Sequence, residues 1–379
     1  MWFQLDEEQQ AIQTTVARFA REQIAPHAAT WDETHHFPRE LLPALAELGL
    51  MGMAVPEAYE GTALSRLTMT VVYETVARSD LATAIWLGVH NMVAGIIAHA
   101  GNDAQRARYL PRMATGAWLG AFSLSEADAG SDSAGLRTTA RRDGDDYILN
   151  GSKLWVTSGN VADVFVVMAR TNDVPGGKGV SALVVEGGTP GLSVGKVERK
   201  MGLHSSPTTE LIFTDCRIPV TQRLGEEGQG LHIALSALDG GRINVGASAT
   251  GVAQAAFEIA RDYAKERSQF GQHLAEFQAI QFMLADMTMQ IDAARLLVQR
   301  GAALVDQRGH ATKEAAEAKC FATDTAMRVT TDAVQILGGA GYVQDWPLER
   351  FMRDVKVTQI FEGTNQIQRI IIARELLKA

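Results

Sequence analysis

Hydrophobic residues follow two different rhythms along this chain. Near the N-terminus they recur every three or four positions. Ile12, Val16, Phe19 and Ile24 share one face of a helix that Asp6 can cap. Pro38 opens a second helical segment carrying Leu41, Leu42, Leu45 and Leu48. Helical stretches follow from about Thr68 to Ala77 and from about Leu81 to Ala100, and Pro111 punctuates the chain after them.

From about Ala121 to Gly225 the pattern changes to short apolar runs: Tyr147-Ile148-Leu149, Val164 to Met168, and Ala182 to Val185. Turn residues separate them, at Gly144-Asp145, Asn150-Gly151, Ser158-Gly159-Asn160, Pro175-Gly176-Gly177 and Pro190-Gly191. Evenly spaced short strands of this kind predict a β-barrel or sandwich. From about Leu231 the helical period returns. Phe277, Ile280, Leu284, Met287, Ile291, Ala294 and Val298 describe a bundle helix buried on one side. A last segment, Ile367 to Leu377, carries Ile370, Ile371, Leu376 and Leu377. The order is helices, a β-domain, then helices.

Composition narrows the function. A length of 379 residues suits two or three structural units, and 46% hydrophobic content excludes disorder. The net charge of −9 disfavours nucleic acid and anionic membrane surfaces as partners. Two cysteines, Cys216 and Cys320, make neither a disulfide framework nor a four-thiolate zinc site. The N-terminus, Met1-Trp2-Phe3-Gln4-Leu5-Asp6-Glu7-Glu8, turns acidic at once and lacks the features of a signal peptide. The longest apolar run, Met92 to Ala100, falls short of the roughly 20 residues of a membrane span and holds His99. A cytoplasmic protein with no membrane partner is the expectation.

Familiar catalytic motifs are missing. There is no His-Glu-x-x-His, and the adjacent His35-His36 cannot sit one helical turn apart, so no metal site is expected. No Gly-x-Ser-x-Gly elbow occurs. Lys178 follows Gly176-Gly177, but Gly179 stands where a phosphate-binding loop needs Ser or Thr. No Gly-x-Gly-x-x-Gly opens a helix after an N-terminal strand, which disfavours a Rossmann site.

Four segments carry possible chemistry. Ala121 to Gly135 packs Ser and Gly at the helix-to-strand junction, a ligand cradle or a plain surface loop. Lys153 to Gly159 places Trp155 beside Thr157, able to stack on and hydrogen-bond an aromatic ligand, or simply to fill a core. Gln335 to Tyr342, followed by Asp345, Arg350 and Asp354, holds three glycines in four positions, a tight helix connection or a close backbone approach to a ligand. In Ile360 to Ile367, Glu362 precedes a helix that Thr364 or Asn365 could cap. It is either a carboxylate near a positive helix end or a desolvated base.

Taken together, in this order and spacing, the four segments resemble the acyl-CoA dehydrogenase family. The likeness runs from the Asp6 helix to Arg374. It includes Lys200-Met201-Gly202, Asp215-Cys216-Arg217 with Pro219, Asp239-x-x-Arg242, and Arg267-Ser268-Gln269-Phe270-Gly271. The resemblance implies an α+β chain. Its parts would be an N-terminal α-helical domain (1–120), a central β-barrel domain (121–230) and a C-terminal four-helix-bundle domain (231–379).

The resemblance also implies FAD as cofactor, a homotetramer built as a dimer of dimers, and acyl-CoA as substrate. By position, Phe122, Leu124, Ser125, Gly130 and Ser131 would line the flavin and pyrophosphate, with Trp155, Val156 and Thr157 along the ring. Arg267, Phe270, Gln278, Gln335, Gly338 and Gly339 would come from a neighbouring subunit, and Thr364 and Gln366 would complete the set. Ser131, Asp239, Arg242 and Gly363 would meet the substrate. Glu362 falls on the catalytic base, which would take the α-proton while the β-hydrogen leaves as hydride to flavin N5. The product would be the trans-2-enoyl-CoA, with electrons passing to an electron-transfer flavoprotein.

A branch of the family carries its base next to the equivalent of Arg242. Here that neighbour is Gly241, which leaves Glu362 as base. Two departures stand out: Glu126-Ala127-Asp128 replaces the common Glu-Pro-Gly, and Phe277 stands where some members have His. Gly88 and Val89 would form a small floor of the acyl pocket, suited to a short or medium chain. An acyl-CoA oxidase using O2, or a non-catalytic acyl-CoA or flavin-binding scaffold, are the competing readings.

Overall fold

The structure, a computed structural model, describes residues 4–378; Met1–Phe3, where the acidic N-terminal stretch begins, lie outside the described residues. Six α-helices come first: α1 (Glu7–Phe19), α2 (Ala28–Thr34), α3 (Leu42–Glu47), α4 (Arg66–Ala77), α5 (Leu81–Ala100) and α6 (Asp103–Ala114). Side-chain caps start most of them. Asp6 accepts from the Gln9 amide while the Gln9 side chain answers the Asp6 N–H, and Asn102 and Gln105 repeat the device on α6. Ser65 caps α4 and Asp80 caps α5.

Pro111 does not end this region. It lies inside α6, one turn from its end, where its missing N–H removes a single helical bond and its carbonyl still accepts from Thr115 at 3.1 Å. The length of the apolar run is also corrected. All 20 residues of α5 lack a formal charge, with mean hydropathy 1.6, long and apolar enough to cross a membrane by length and composition. The helix is instead packed against α4 and α7. Its His90 bridges two parts of the chain: one ring nitrogen faces the Met51 carbonyl at 3.0 Å and the other accepts the Gly120 N–H at 3.1 Å. Burial pushes His90 down to about 4, which keeps it neutral for this double role.

The middle of the chain forms β1 (Gly120–Ser123), β2 (Thr139–Asp143), β3 (Asp146–Thr157), β4 (Val164–Arg170), β5 (Val180–Glu186), β6 (Leu192–Val197), β7 (Thr208–Pro219) and β8 (Arg223–Leu224). They make one mixed sheet in the order β6-β7-β3-β2-β4-β5-β8, with β1 added parallel to β4. The end strands β6 and β8 do not pair with each other. Even so, Ala140, Leu149, Phe165, Leu183 and Phe213, from strands far apart in that order, meet in one interior, so the sheet curls around its own core. The opposite face of β4 and β5 (Val164, Val166, Met168, Ala182, Val184) packs on Val93, Ile97, Tyr109 and Met113 of α5 and α6. Burial on both faces explains why these two strands read as unbroken apolar runs.

Asn150-Gly151 is not a turn. It is a bulge within β3, where the pairing slips against β7 and Gly151 adopts φ 141°. The Asn150 side chain compensates, exchanging two hydrogen bonds with Asp215 at 2.9 and 3.0 Å.

The last part holds α7 (Gly230–Glu266), a small hairpin of β9 (Ser268–Gln269) and β10 (Gln272–His273), α8 (Gln278–Arg308), α9 (Thr312–Leu337), α10 (Gly339–Tyr342), α11 (Leu348–Lys356) and α12 (Asn365–Leu376). The three long helices α7, α8 and α9 pack on one another, and α11 and α12 pack on α9. Met287, Ile291, Ala294 and Val298 are buried as their spacing predicts. Of the apolar residues expected to anchor the final helix, only Ile371 is buried; Ile370, Leu376 and Leu377 are exposed.

Candidate active site

The loop between α11 and α12 is built around an unusual backbone. Glu362 and Gly363 both adopt left-handed conformations, φ 56° and 83°. For a glutamate this costs on the order of 1–3 kcal/mol and persists only where the surroundings enforce it. Two buried donors do so. Gln368 Nε2 donates to the carbonyls of Glu362 at 3.0 Å and Gly363 at 2.8 Å. Lys319 Nζ, from α9, donates to the Gly363 carbonyl at 2.9 Å and to Asn365 Oδ1 at 2.8 Å. Asn365 Nδ2 in turn donates to Thr323 Oγ1 at 2.9 Å and Asp324 Oδ1 at 2.7 Å. Of the two possible caps, Thr364 is the one that opens α12; Asn365 is its first residue.

These contacts aim the Glu362 carboxyl at α7. A β-carbon added to Gly241 would lie 2.8 Å from Glu362 Oε2 and 3.0 Å from its Cδ, so the carboxyl occupies space that only glycine leaves. Glu362 Oε2 is closed off from solvent and has no hydrogen-bond partner. Desolvation pushes the group up to about 7, with the charges of Arg242 and Lys319 pulling the other way. The same burial holds Lys319 down at about 8. Arg242 pairs with Asp239 at 2.6 Å, and the other Asp239 oxygen accepts from Thr312 Oγ1 at 2.6 Å. Arg242 Nε remains buried and unpaired. A carboxyl with one oxygen closed off and unpaired, pushed up to about 7, is equipped to take a proton from a bound molecule.

A second group gathers on the sheet. Phe122 lies on β1, and Leu124 and Ser125 follow that strand. They are tied to β3 by the Leu154 N–H, which donates to the Ser125 carbonyl at 2.9 Å, and by the buried Lys153, whose Nζ donates to the Leu124 carbonyl at 3.0 Å and to Glu126 Oε1 at 2.8 Å. Glu126 also accepts the N–H groups of Arg137 and Thr138, and its backbone closes a tight bridge with Ala129, so Ala127-Asp128 sits in an ordered turn. Trp155 stands at φ 62° with 60% of its surface exposed. Thr157 is half-buried beside it. The Val156 side chain points into the sheet interior, which leaves only its main chain for a ligand. Gly130 and Ser131 are exposed, and a β-carbon at Gly130 would meet nothing within 4 Å.

A third group stands apart. Arg267, Phe270 and Gln278 are exposed on and after the β9–β10 hairpin, and Phe270 is 95% exposed. Phe270 meets Phe277 edge-on at 6.3 Å. Gln335, Gly338 and Gly339 are exposed at the end of α9, with open space at both glycines. Sixteen helical residues, about 24 Å, separate Lys319 beside the carboxyl from Gln335. The end of α9, with Gln335, Gly338 and Gly339, therefore stands well away from Glu362. Gln366 is exposed on the first turn of α12.

Lys319 and Gln368 escape a reading by motif. One signal for Lys319 is visible: it interrupts an alanine stripe, Ala315, Ala318, Ala322 and Ala326, all buried. A lysine on such a stripe requires a specific acceptor.

Family comparison agrees with this architecture. The acyl-CoA dehydrogenase N-terminal domain matches residues 6–117, the middle domain 121–216 and the C-terminal domain 228–377. The mitochondrial isobutyryl-CoA dehydrogenase of Dictyostelium discoideum is 44% identical over 375 residues, covering 99% of this chain and 90% of its own. The structure of butyryl-CoA dehydrogenase from Megasphaera elsdenii superposes with a TM-score of 0.97 at 43% identity, covering both chains completely. A chain from work on the electron transferring flavoprotein of Acidaminococcus fermentans superposes at 0.98 and 46% identity, again over both full chains.

Proposed function

The chain belongs to the acyl-CoA dehydrogenase family, an FAD flavoprotein oxidoreductase acting on acyl-CoA thioesters, and on that premise we propose that Glu362 is its catalytic base. The observation that carries this reading is the carboxyl itself: Oε2 is buried, unpaired, and seated in the gap left by Gly241. Glu362 takes the α-proton of the thioester. That proton is a poor acid, so the developing enolate oxygen needs donors. The Glu362 N–H has no partner among the described residues and is free for this task. Gln368 and Lys319 fix the two following carbonyls and so hold that peptide in place. Asp239 has both oxygens occupied by Arg242 and Thr312, and serves the substrate by holding Arg242. Ser131 and Gly363 complete the thioester contacts.

The residues present fit FAD. Three buried hydroxyls near the flavin wall, Ser123, Ser158 and Thr209, lack partners, and Trp155 is held outward in a left-handed conformation. Phe122, Leu124, Ser125, Gly130 and Ser131 would hold the cofactor from one side, with Trp155, the Val156 main chain and Thr157 along the ring. Thr364 and Gln366 would close that side. Arg267, Phe270, Gln278, Gln335, Gly338 and Gly339 would reach it from a neighbouring copy within a homotetramer. The exposure of all six, and the distance of Gln335, Gly338 and Gly339 along α9 from the base, support that assignment. FAD bound there would supply the hydride acceptor for the β-hydrogen. The domain limits 1–120, 121–230 and 231–379 describe the same division of labour.

An electron-transfer flavoprotein is the electron acceptor in this reading, and short acyl groups, straight or branched, are the substrates. Tyr73 on α4 supports the short chain: it is fully buried, with ring atom Cε1 3.8 Å from where a Gly88 side chain would begin, and it narrows the floor formed by Gly88 and Val89. The test is an anaerobic assay of the holoenzyme with butyryl-CoA and isobutyryl-CoA, with electron-transfer flavoprotein added. Enoyl-CoA formation that requires the acceptor supports the reading. Peroxide formed in step with the enoyl product in air would assign an oxidase instead, and no enoyl product from any acyl-CoA would end it.

A further inference from the structure

The inner end of the acyl site carries two hydrogen-bond donors with nothing to bond. Tyr73 is fully buried and its hydroxyl has no partner; Arg66 Nε is likewise closed off and unpaired. Glu362 Oε2 is in the same condition. Arg66 and Tyr73 lie seven residues apart, two turns along one face of α4. The guanidinium charge acts on the Tyr73 phenol.

Glycines on the facing helices make room for both side chains. A β-carbon at Gly240 would lie 2.9 Å from Arg66 Cζ, and the next residue, Gly241, makes room for the Glu362 carboxyl. Gly88 of α5 faces the Tyr73 ring. Farther along, Gly251 of α7 rests against the Glu74 backbone, so α4 runs parallel to α7. Because helical side chains lean toward their own N-terminus, Tyr73 reaches back toward Arg66 and the base.

The Arg66 guanidinium makes no side-chain ion pair among the described residues, although the Asp306 charge lies nearby. Asp306, its acidic neighbour, spends its two oxygens on the Arg66 and Leu67 N–H groups, at 2.6 and 3.0 Å. Among the described residues the guanidinium makes one side-chain bond, a long one of 3.4 Å to Asn244 Oδ1. Buried donors left unpaired are costly, and a site that retains them gains when a ligand supplies the acceptor.

We propose that Tyr73 and Arg66 form a hydrogen-bonding wall that selects short acyl thioesters bearing an oxygen acceptor at or beyond the γ-carbon. The β-carbon gives up its hydrogen at the flavin, so the acceptor sits farther out along the acyl chain. The proposal rests on Glu362 being the base, which fixes where the α- and β-carbons lie.

The test compares kcat/KM for butyryl-, isobutyryl-, 4-hydroxybutyryl- and glutaryl-CoA in wild type, Tyr73→Phe and Arg66→Lys holoenzyme. Phenylalanine keeps the ring and removes only the hydroxyl. One oxygenated substrate is expected to exceed butyryl-CoA by about tenfold or more, and Tyr73→Phe to bring that ratio close to one. Arg66→Lys should reduce the same ratio. A wild-type preference for butyryl- or isobutyryl-CoA overturns the proposal. So does an equal loss on all four substrates, which would place the wall against the pantetheine arm or in the fold alone. Failure to turn over any of the four refutes the assignment of the base instead, and separates the two readings.

Discussion

Lys319 donates to the carbonyl of Gly363 from a fully buried position, one peptide from the carboxyl whose ionised form its charge favours. A single side chain thereby acts on both the posture and the acidity of Glu362, alongside Gln368 and Arg242. Lys319→Met should raise the pH at which kcat/KM reaches half its plateau, because one of the two opposing charges is gone. It should also lower the Tm, since the Gly363 carbonyl loses a donor. A pH–rate profile and a thermal melt measure the two effects, and an unchanged profile would show that Lys319 acts on the fold alone.

Glu362→Gln should lower kcat by at least about 10²-fold while acyl-CoA still binds, because the amide keeps the shape and cannot take a proton. Turnover and the change in flavin absorbance on adding enoyl-CoA separate chemistry from binding. Retention of more than about a tenth of the activity would move the base elsewhere.

Folding stability should respond to the same group. Its folded value, about 7, lies above the ordinary carboxylate value of 4.5, so between these limits the folded protein holds a proton that the unfolded chain has lost. Stability from this site is therefore full at low pH and falls as pH rises through that window. Glu362→Gln removes the penalty. Its Tm relative to wild type should become more favourable between pH 5 and pH 8 in holoenzyme without acyl ligand. A constant difference would mean that the carboxyl is not desolvated.

Gly241→Ala probes the gap on α7. The new methyl would lie 2.8 Å from Glu362 Oε2, inside contact distance, and the carboxyl must move. We expect kcat to fall by about tenfold or more, since misplacement of a reacting group by 1 Å can cost about 10²-fold. Alanine favours the helix, which limits any loss of Tm. Steady-state kinetics beside a melt distinguish the two, and wild-type kcat in this variant would refute the close approach.

Much of this architecture was legible because one period dominates each region. The heptad-like stripe of α8 and the double-sided strands β4 and β5 report burial directly. Pro111 and Asn150-Gly151 misled for a shared reason: each residue type is a breaker in isolation, while a late helical turn and an Asp215-supported bulge absorb it. At the site, Glu362 and Thr364 could be singled out from their setting before a helix. Gln368 could not. It looks like any polar residue on a terminal helix, and its role depends on the loop turning back over it, which is a tertiary fact.

The uncharged helix α5 also bears on how the chain is made. Its tertiary cover includes α7, which ends about 160 residues later. At ordinary elongation rates it emerges roughly 8–30 s before that cover is complete. During synthesis, an oily segment of membrane-spanning length waits without its lid, and the ribosome-bound chain is a natural client for chaperones that shield such stretches.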